Sequence, residues 1–391
     1  MKKYTWSIVW IALLFILVIT VAAQTGKLPL GLSSAARGVD ASFRTVIKIG
    51  GAFGQSGICA EFGEGEFRGA TLAVEEVNAS GGVNGKKLAL VAEDTLCENK
   101  GVVNATRKLV SIENVSAIIG PTWGDTFQSG YPISRAENIL SIGPSSALES
   151  LDFTGASKDL VFSVWFPQNR EIDALQRHIA AQNLKTISII HDQDPFGAMM
   201  GALFNDQARQ NGLSIVGKEE VKTELTDFRT FIARIKAQKP EAVFASFVSP
   251  DHKAIFFKQA KELGLKARFF ASADTENPAL LESFAAALEG VNYTFPRGAK
   301  DSEEFARKYE ERFGVKPPVS SSHAFDAVKV LVAAMKKAGT TEGDKLQDAL
   351  LSIEIPGVTY DVLKFSKGHQ ISGGEFVVKT VRNGEFATVE K

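Results

Sequence analysis

Residues 46–91 read VIKIGGAFGQSGICAEFGEGEFRGATLAVEEVNASGGVNGKKLALV. A β-branched run leads into a glycine-rich loop. An amphipathic segment, a Gly/Asn turn and a second apolar run come next, which makes one strand–loop–helix–strand unit. The loop after Ile49 is small and polar where a strand ends. Ligands of open α/β sheets bind outside the carboxyl ends of strands, so this stretch predicts a fold and a binding surface together.

The rhythm continues along the chain. Apolar β-type runs recur at 115–119, 139–142, 161–164, 186–190, 214–216, 242–246 and 267–270. Segments with apolar residues three and four apart lie between them, at 99–111, 126–137, 169–182, 197–210, 227–237 and 251–263. Alternating β and α elements predict parallel sheets covered by helices. The strands are too many for one sheet of ordinary size, so two similar lobes are expected, with the first ending near Trp165. The C-terminal part departs from this pattern. Helical segments at 302–313, 321–338 and 343–352 precede strand-like runs at 358–365 and 375–381, and Asn383-Gly384 marks a hairpin. These helices need a sheet to cover. The expected domains are therefore 46–165 with 297–355, and 166–296 with 356–391.

The chain has 391 residues, 45% hydrophobic and 23% charged, with a net charge of −1. That composition suits a globular protein of two domains and offers no basic stripe for nucleic acid. Its 27 Phe far outnumber 5 Tyr and 4 Trp, a skew the sequence alone does not explain. At the N-terminus Lys2 and Lys3 precede an apolar run from Trp6 to Ala23. Residues 1–23 read either as a secretory signal cleaved near Gln24 or as an uncleaved membrane anchor, and both place the remainder of the chain outside the cytoplasm. Residues 24–45 read as a tether, of which twenty flexible residues span roughly 25 Å.

Nothing nominates an enzyme. GEGEFRG has the spacing G-x-G-x-x-x-G and lies too far past the strand to be a dinucleotide fingerprint. There is no P-loop and no nucleophile elbow. His178, His191, His252, His323 and His369 lack metal-ligand spacing, so no cofactor and no metal is expected. Cys59 and Cys97 follow the first and second strands, which a parallel sheet can place side by side. In an exported chain they either form a disulfide or remain two thiols.

These blocks together resemble a known family: class I solute-binding proteins of the leucine/isoleucine/valine-binding type, which serve ABC transporters. The resemblance rests on SGICAEFGEGEFRGA with AVEEVNASGGVNGKKL, then AIIGPTWGD, ENILSIGPSSA, ISIIHDQDPFG, DFRTFIARIKAQKPEAVFAS and FKQAKELGL, in the family's order. It implies the type 1 periplasmic binding protein fold, with two Rossmann-like lobes joined by a three-crossing hinge. It also implies a small polar ligand, an amino acid or related amide, held between closing lobes and passed to an ABC transporter permease. The other function the fold serves is a ligand-sensing extracellular domain held at the membrane.

The resemblance also implies site residues. Phe62 matches an aromatic lying against the ligand. The loop holding Trp123, Gly124, Asp125 and Thr126 matches a carboxylate-binding segment, with Gly124 at the expected hydroxyl position. Ser145, Ser146 and Ala147 match a second such loop, with Ala147 where a hydroxyl is expected. These two departures weigh against a plain aliphatic amino acid, because a carboxylate in a dry cleft needs donors. Phe196 matches a residue facing the cleft, and Asp194 reads as the cap of the helix beginning at Pro195. Ser249 falls where the family has an aromatic. Asp274, with Glu276 as its rival, falls near the acid that pairs with a ligand ammonium.

Overall fold

The computed structural model describes residues 46–150, 160–372 and 374–389. The expected signal or anchor at 1–23 and the tether at 24–45 lie outside the described residues. Among the described residues no helix is long and apolar enough to cross a membrane.

The opening stretch forms strand β1 (Ile47–Phe53), helix α1 (Ala60–Ala79) and strand β2 (Leu88–Asp94). Three short, fully buried strands come after them: β3 (Ala117–Ile119), β4 (Leu140–Gly143) and β5 (Val161–Ser163). Helices α2 (Asn99–Arg107) and α3 (Phe127–Ala136) separate them. All five strands are parallel, in the order β2-β1-β3-β4-β5. Strands buried on both faces read as unbroken apolar runs, which is why VSAII and ILSI were legible.

The second lobe repeats that order. Strands β6 (Thr186–Asp192), β7 (Ser214–Val221), β8 (Ala242–Ser246), β9 (Arg268–Ala271) and β10 (Asn292–Pro296) run β7-β6-β8-β9-β10 across the sheet. Helices α4 (Gln168–Ala181), α5 (Pro195–Ala208), α6 (Arg229–Gln238), α7 (Pro250–Glu262) and α8 (Pro278–Leu288) connect the elements of this lobe. The chain then returns to the first lobe, where α9 (Ser302–Phe313), α10 (Val319–Ala338) and α11 (Gly343–Leu350) complete its core. Ala324, Val328 and Leu331 of α10 pack with Ile49 and Ile119 of the first sheet. Strands β11 (Phe376–Arg382) and β12 (Glu385–Thr388) finally extend the second sheet. Their turn, Asn383-Gly384, has positive φ at both residues (55° and 72°), the two-residue hairpin geometry that Asn-Gly favours.

Five expectations need correction. Residues 278–288 form a helix that periodicity missed, because PALLESFAAAL is apolar nearly all round and bends at Phe284, whose φ is −133°. Residues 292–296 form strand β10, too short and too near Pro296 to stand out. Residues 358–365 form no strand, only isolated bridges from Ile355 to Leu363 and from Phe365 to Ile371. Tyr360, Leu363, Phe365 and Ile371 pack into the first lobe's core, so the last crossing lies between 372 and 376, not at 355. The second sheet is also mixed: β11 and β12 pair antiparallel.

The phenylalanine skew is a property of the core. In the second lobe Phe228, Phe247, Phe256, Phe257 and Phe269 form a chain of ring contacts with centroids 5.3–5.8 Å apart. On the opposite face Phe204 stacks on Phe244 at 4.4 Å. Rings without a polar tip fill a dry core and leave no donor to satisfy, and truncating one typically costs about 3–5 kcal/mol.

Candidate functional site

Each lobe has its topological switch between its first and third strands, β1/β3 and β6/β8, where successive connections leave toward opposite faces. The loops there, with those after β4, β5 and β9, surround one cavity between the lobes. From the first lobe come Phe62, Trp123, Gly124, Asp125, Ser145, Ala147 and Trp165. From the second come Asp194, Phe196, Val248 and Asp274. The space is small, with about 40 Å³ in which the centre of a water fits.

Aromatic rings form the walls. Phe62 meets Trp123 edge-on at 6.0 Å and Trp165 at 6.5 Å. Trp165 is held from behind by Phe166, stacked at 4.4 Å, and by His323 at 4.6 Å. His323 is buried, sits at hydrogen-bond distance from the Val319 carbonyl through Nδ1 (2.9 Å), and has its pKa pushed down to about 4 by burial, so its ring is neutral.

Most first-lobe hydroxyls serve the backbone. Thr126 donates to the Trp123 carbonyl (3.0 Å) and Ser146 to that of Pro121 (2.8 Å). Neither side chain lines the cavity. Ser145 differs, since its hydroxyl is buried, lines the cavity and has no hydrogen-bond partner among the described residues. Behind it lies Glu66, fully buried in α1, which accepts from Thr122 (2.6 Å), whose own oxygen accepts from the Gly54 amide (2.9 Å). Thr122 and the nearby Ser145 hydroxyl both favour the charged form of Glu66 and act to lower its pKa. Burial dominates and pushes the carboxyl up to about 8. At neutral pH Glu66 is therefore protonated.

Cys59 and Cys97 are bonded, with Cα atoms 5.9 Å apart, and tie the loop after β1 to the loop after β2. A Cβ at Gly54 would collide with both sulfurs, so the glycine leaves room for the bridge.

The second lobe supplies capped helix starts and charge. Helices α5, α7 and α8 each begin with a capping residue followed by proline. Asp194 accepts from the Phe196 amide (2.9 Å), Ser249 from that of His252 (3.5 Å) and Asn277 from that of Leu280 (2.8 Å). Ser249 is thus a cap outside the cavity, and its neighbour Val248 faces the space instead. Asp192 is buried beneath, accepts from the Val248 amide (2.9 Å), and is pushed up to about 7 by burial. Asp274 lines the cavity but already has a partner. Lys253 of α7, with no exposed surface, donates to Asp274 (2.6 Å) and to Ser272 (3.1 Å). Its rival Glu276 lies outside the cavity, bound to Tyr293 and Lys379. Glu171 of α4 is buried nearby, accepts from the Ala273 amide (2.7 Å), and is pushed up to about 8 by burial.

The acids at the cavity oppose one another. Asp125 of the first lobe is raised to about 6, first by burial and then by the charge of Asp194 from the second. Burial raises Asp194 as well. Among the described residues, the hydrogen bond from Asn277 Nδ2 to Glu61 Oε2 (2.6 Å) spans the lobes at the cleft edge, and the Gln168 amide donates to Glu149 Oε1 (2.9 Å) between the lobes near the first crossing.

Sequence reading alone missed Trp165, Val248 and Lys253 here. Trp165 was visible as a hinge residue but not as a wall. Lys253 sits one turn into a helix of ordinary pattern, with nothing in the sequence to mark its burial. Among the described residues no group of His, Cys, Asp and Glu is placed to hold a metal ion.

The family model for periplasmic binding proteins matches residues 46–385. A leucine-, isoleucine-, valine-, threonine- and alanine-binding protein of Pseudomonas aeruginosa is 26% identical over 312 residues, covering 78% of this chain and 82% of its own. The structure superposes on a branched-chain amino acid transporter substrate-binding protein of Streptococcus pneumoniae in complex with isoleucine. That match has a TM-score of 0.78 at 22% identity, over 88% of this chain and 99% of that one. A solute-binding protein of an R. palustris ABC transporter in complex with benzoate superposes equally well, with a TM-score of 0.78 at 19% identity over 88% and 96%. Isoleucine and benzoate occupy the same fold, so the fold does not choose the ligand. These relatives are binding proteins and not enzymes. With a cavity between two lobes of matching topology, and a family model spanning nearly all its described residues, this chain belongs to the periplasmic binding protein family.

Proposed function

We propose that this protein captures a small polar ligand, an amino acid or a related amide, outside the cytoplasm and delivers it to an ABC transporter permease. The observation that carries the reading is the cavity lined by both lobes at the carboxyl ends of their strands. A ligand that touches both walls selects the closed arrangement, because only that arrangement satisfies both sets of contacts. The hydrogen bond between Asn277 and Glu61 would add to that arrangement and is lost when the lobes part. The closed form then presents to the permease a surface that the open form lacks. No bond is made or broken.

The experiment is small-angle scattering of the purified protein against L-leucine, L-isoleucine, isobutyramide, L-leucinamide and agmatine. A saturable fall in the radius of gyration with any of them supports the reading. A radius that no compound changes, with no shift in melting temperature, overturns it.

A further inference from the structure

The ionisable side chains that line the cavity are all acids: Asp125, Asp194 and Asp274. Lys253, the buried cation beside them, is already bonded to Asp274 and Ser272. Asp274 and Lys253 form a matched pair, which leaves Asp125 and Asp194 facing the space from opposite lobes. A ligand carrying a free carboxylate would bring a further negative charge into that space. Aromatic rings from both lobes, Phe62, Trp123, Trp165 and Phe196, share the rest of the wall with small residues and Val248. Aromatic faces attract cations through their quadrupole, most strongly where water is excluded.

A second observation provides a cationic guest with a polar partner. The hydroxyl of Ser145 lines the cavity, is buried, and has no partner among the described residues. As a hydroxyl it both donates and accepts, so it can take an N–H of such a guest. The other candidate hydroxyls of this wall, on Thr126 and Ser146, are occupied by backbone carbonyls.

We propose that the ligand of this cleft is a small organic cation without a free carboxylate: an amine, an amino amide or a guanidinium compound. Its positive group lies between Asp125 and Asp194, within the aromatic walls and within reach of Ser145. This rests on the reading of the cleft as the ligand site and narrows it. It also assigns a cause to closure. Without a cation, closing brings two carboxylates of opposite lobes together, and like charges resist that approach. With a cation between them, the same two groups draw the lobes shut.

The test compares matched compounds by calorimetry and scattering. L-Leucinamide and L-leucine share a side chain and an ammonium group and differ in the carboxylate. Isobutyramide has neither charge, and agmatine carries two positive groups. Leucinamide or agmatine is expected to bind at least tenfold tighter than leucine and to close the protein. Asp125→Asn and Asp194→Asn are each expected to weaken that binding by roughly tenfold or more. Asparagine keeps the shape of both side chains and is as good a cap as aspartate at position 194, so folding is preserved and is checked by the melting temperature. Leucine or isobutyramide binding as tightly as leucinamide overturns the inference and leaves the broader reading standing. Cation binding that neither variant weakens also overturns it. If no compound binds or closes the protein, both readings fall.

Discussion

The two walls of the cleft come from lobes with the same strand order but carry different chemistry. The first lobe contributes mainly shape. Three aromatic residues, a disulfide behind the first loop, and hydroxyls spent on their own backbone make a wall whose open polar groups are Ser145 and a single acid, Asp125. The second contributes charge held in place: three proline-started, capped helices and a buried Lys253–Asp274 pair beside Glu171. A shared topology therefore fixes where a site forms, while the loop residues of each lobe decide what it can hold.

The largest test of this contrast is Lys253→Met. It strands the buried Asp274 without its cation, so a loss of about 3–5 kcal/mol is expected in urea unfolding, centred on the second lobe. A variant as stable as the parent would show that the pair is not what holds that wall. The corresponding test of the first lobe is Cys59→Ser with Cys97→Ser. The bridge closes a loop with a sequence separation of 38 residues. Chain-entropy reasoning gives about 4 kcal/mol for such a loop, as an upper figure. Intrinsic fluorescence of Trp123 and Trp165, both in the first lobe's half of the cleft, is expected to report the loss.

Raised carboxyls make both lobes sensitive to alkali. Glu66 in the first and Glu171 in the second are each raised from 4.5 to about 8. A raised acid holds its proton more tightly in the native state than in the unfolded chain. Its contribution is thus fully present below pH 4.5 and is lost as pH rises through 8. Stability is expected to fall between about pH 4.5 and 8, at up to roughly 1.4 kcal/mol per pH unit for each group, and to level off above that. Glu66→Gln and Glu171→Gln should each flatten the slope, and a slope unchanged in one variant assigns the effect to the other lobe. The smallest expected effect is at the cleft edge. Glu61→Ala removes the hydrogen bond across the lobes and is expected to weaken ligand binding by about 1 kcal/mol, with little change in stability without ligand.

Much of the architecture was legible in advance, for identifiable reasons. Buried parallel strands announce themselves as apolar runs, so β3, β4 and β8 were visible. Asp194-Pro195 and Asn383-Gly384 are local signals, set by capping and by positive φ, and need no tertiary context. The helix at 278–288 and the strand at 292–296 were hidden because one is apolar on every face and the other is short. Of the expected site residues, Phe62, Trp123, Gly124, Asp125, Ser145, Ala147, Phe196 and Asp274 lie around the cavity. Thr126, Ser146 and Ser249 bind backbone, because a short hydroxyl beside a turn finds a nearby peptide group before it reaches a cleft.

The sequence by itself determined the alternation of strands and helices, the doubled lobe, most of the loops that border the cavity and the absence of nucleotide-binding motifs. These arise from periodicity, spacing and turn chemistry, which act between near neighbours. Only the tertiary structure decided that Cys59 meets Cys97, that residues 356–371 belong to the first lobe, and that Asp274 is neutralised by Lys253. It also set Asp125 against Asp194 across the cleft. Charge pairing and burial join residues far apart in the chain, and their energies depend on distance and on the exclusion of water, neither of which a linear order of residues contains.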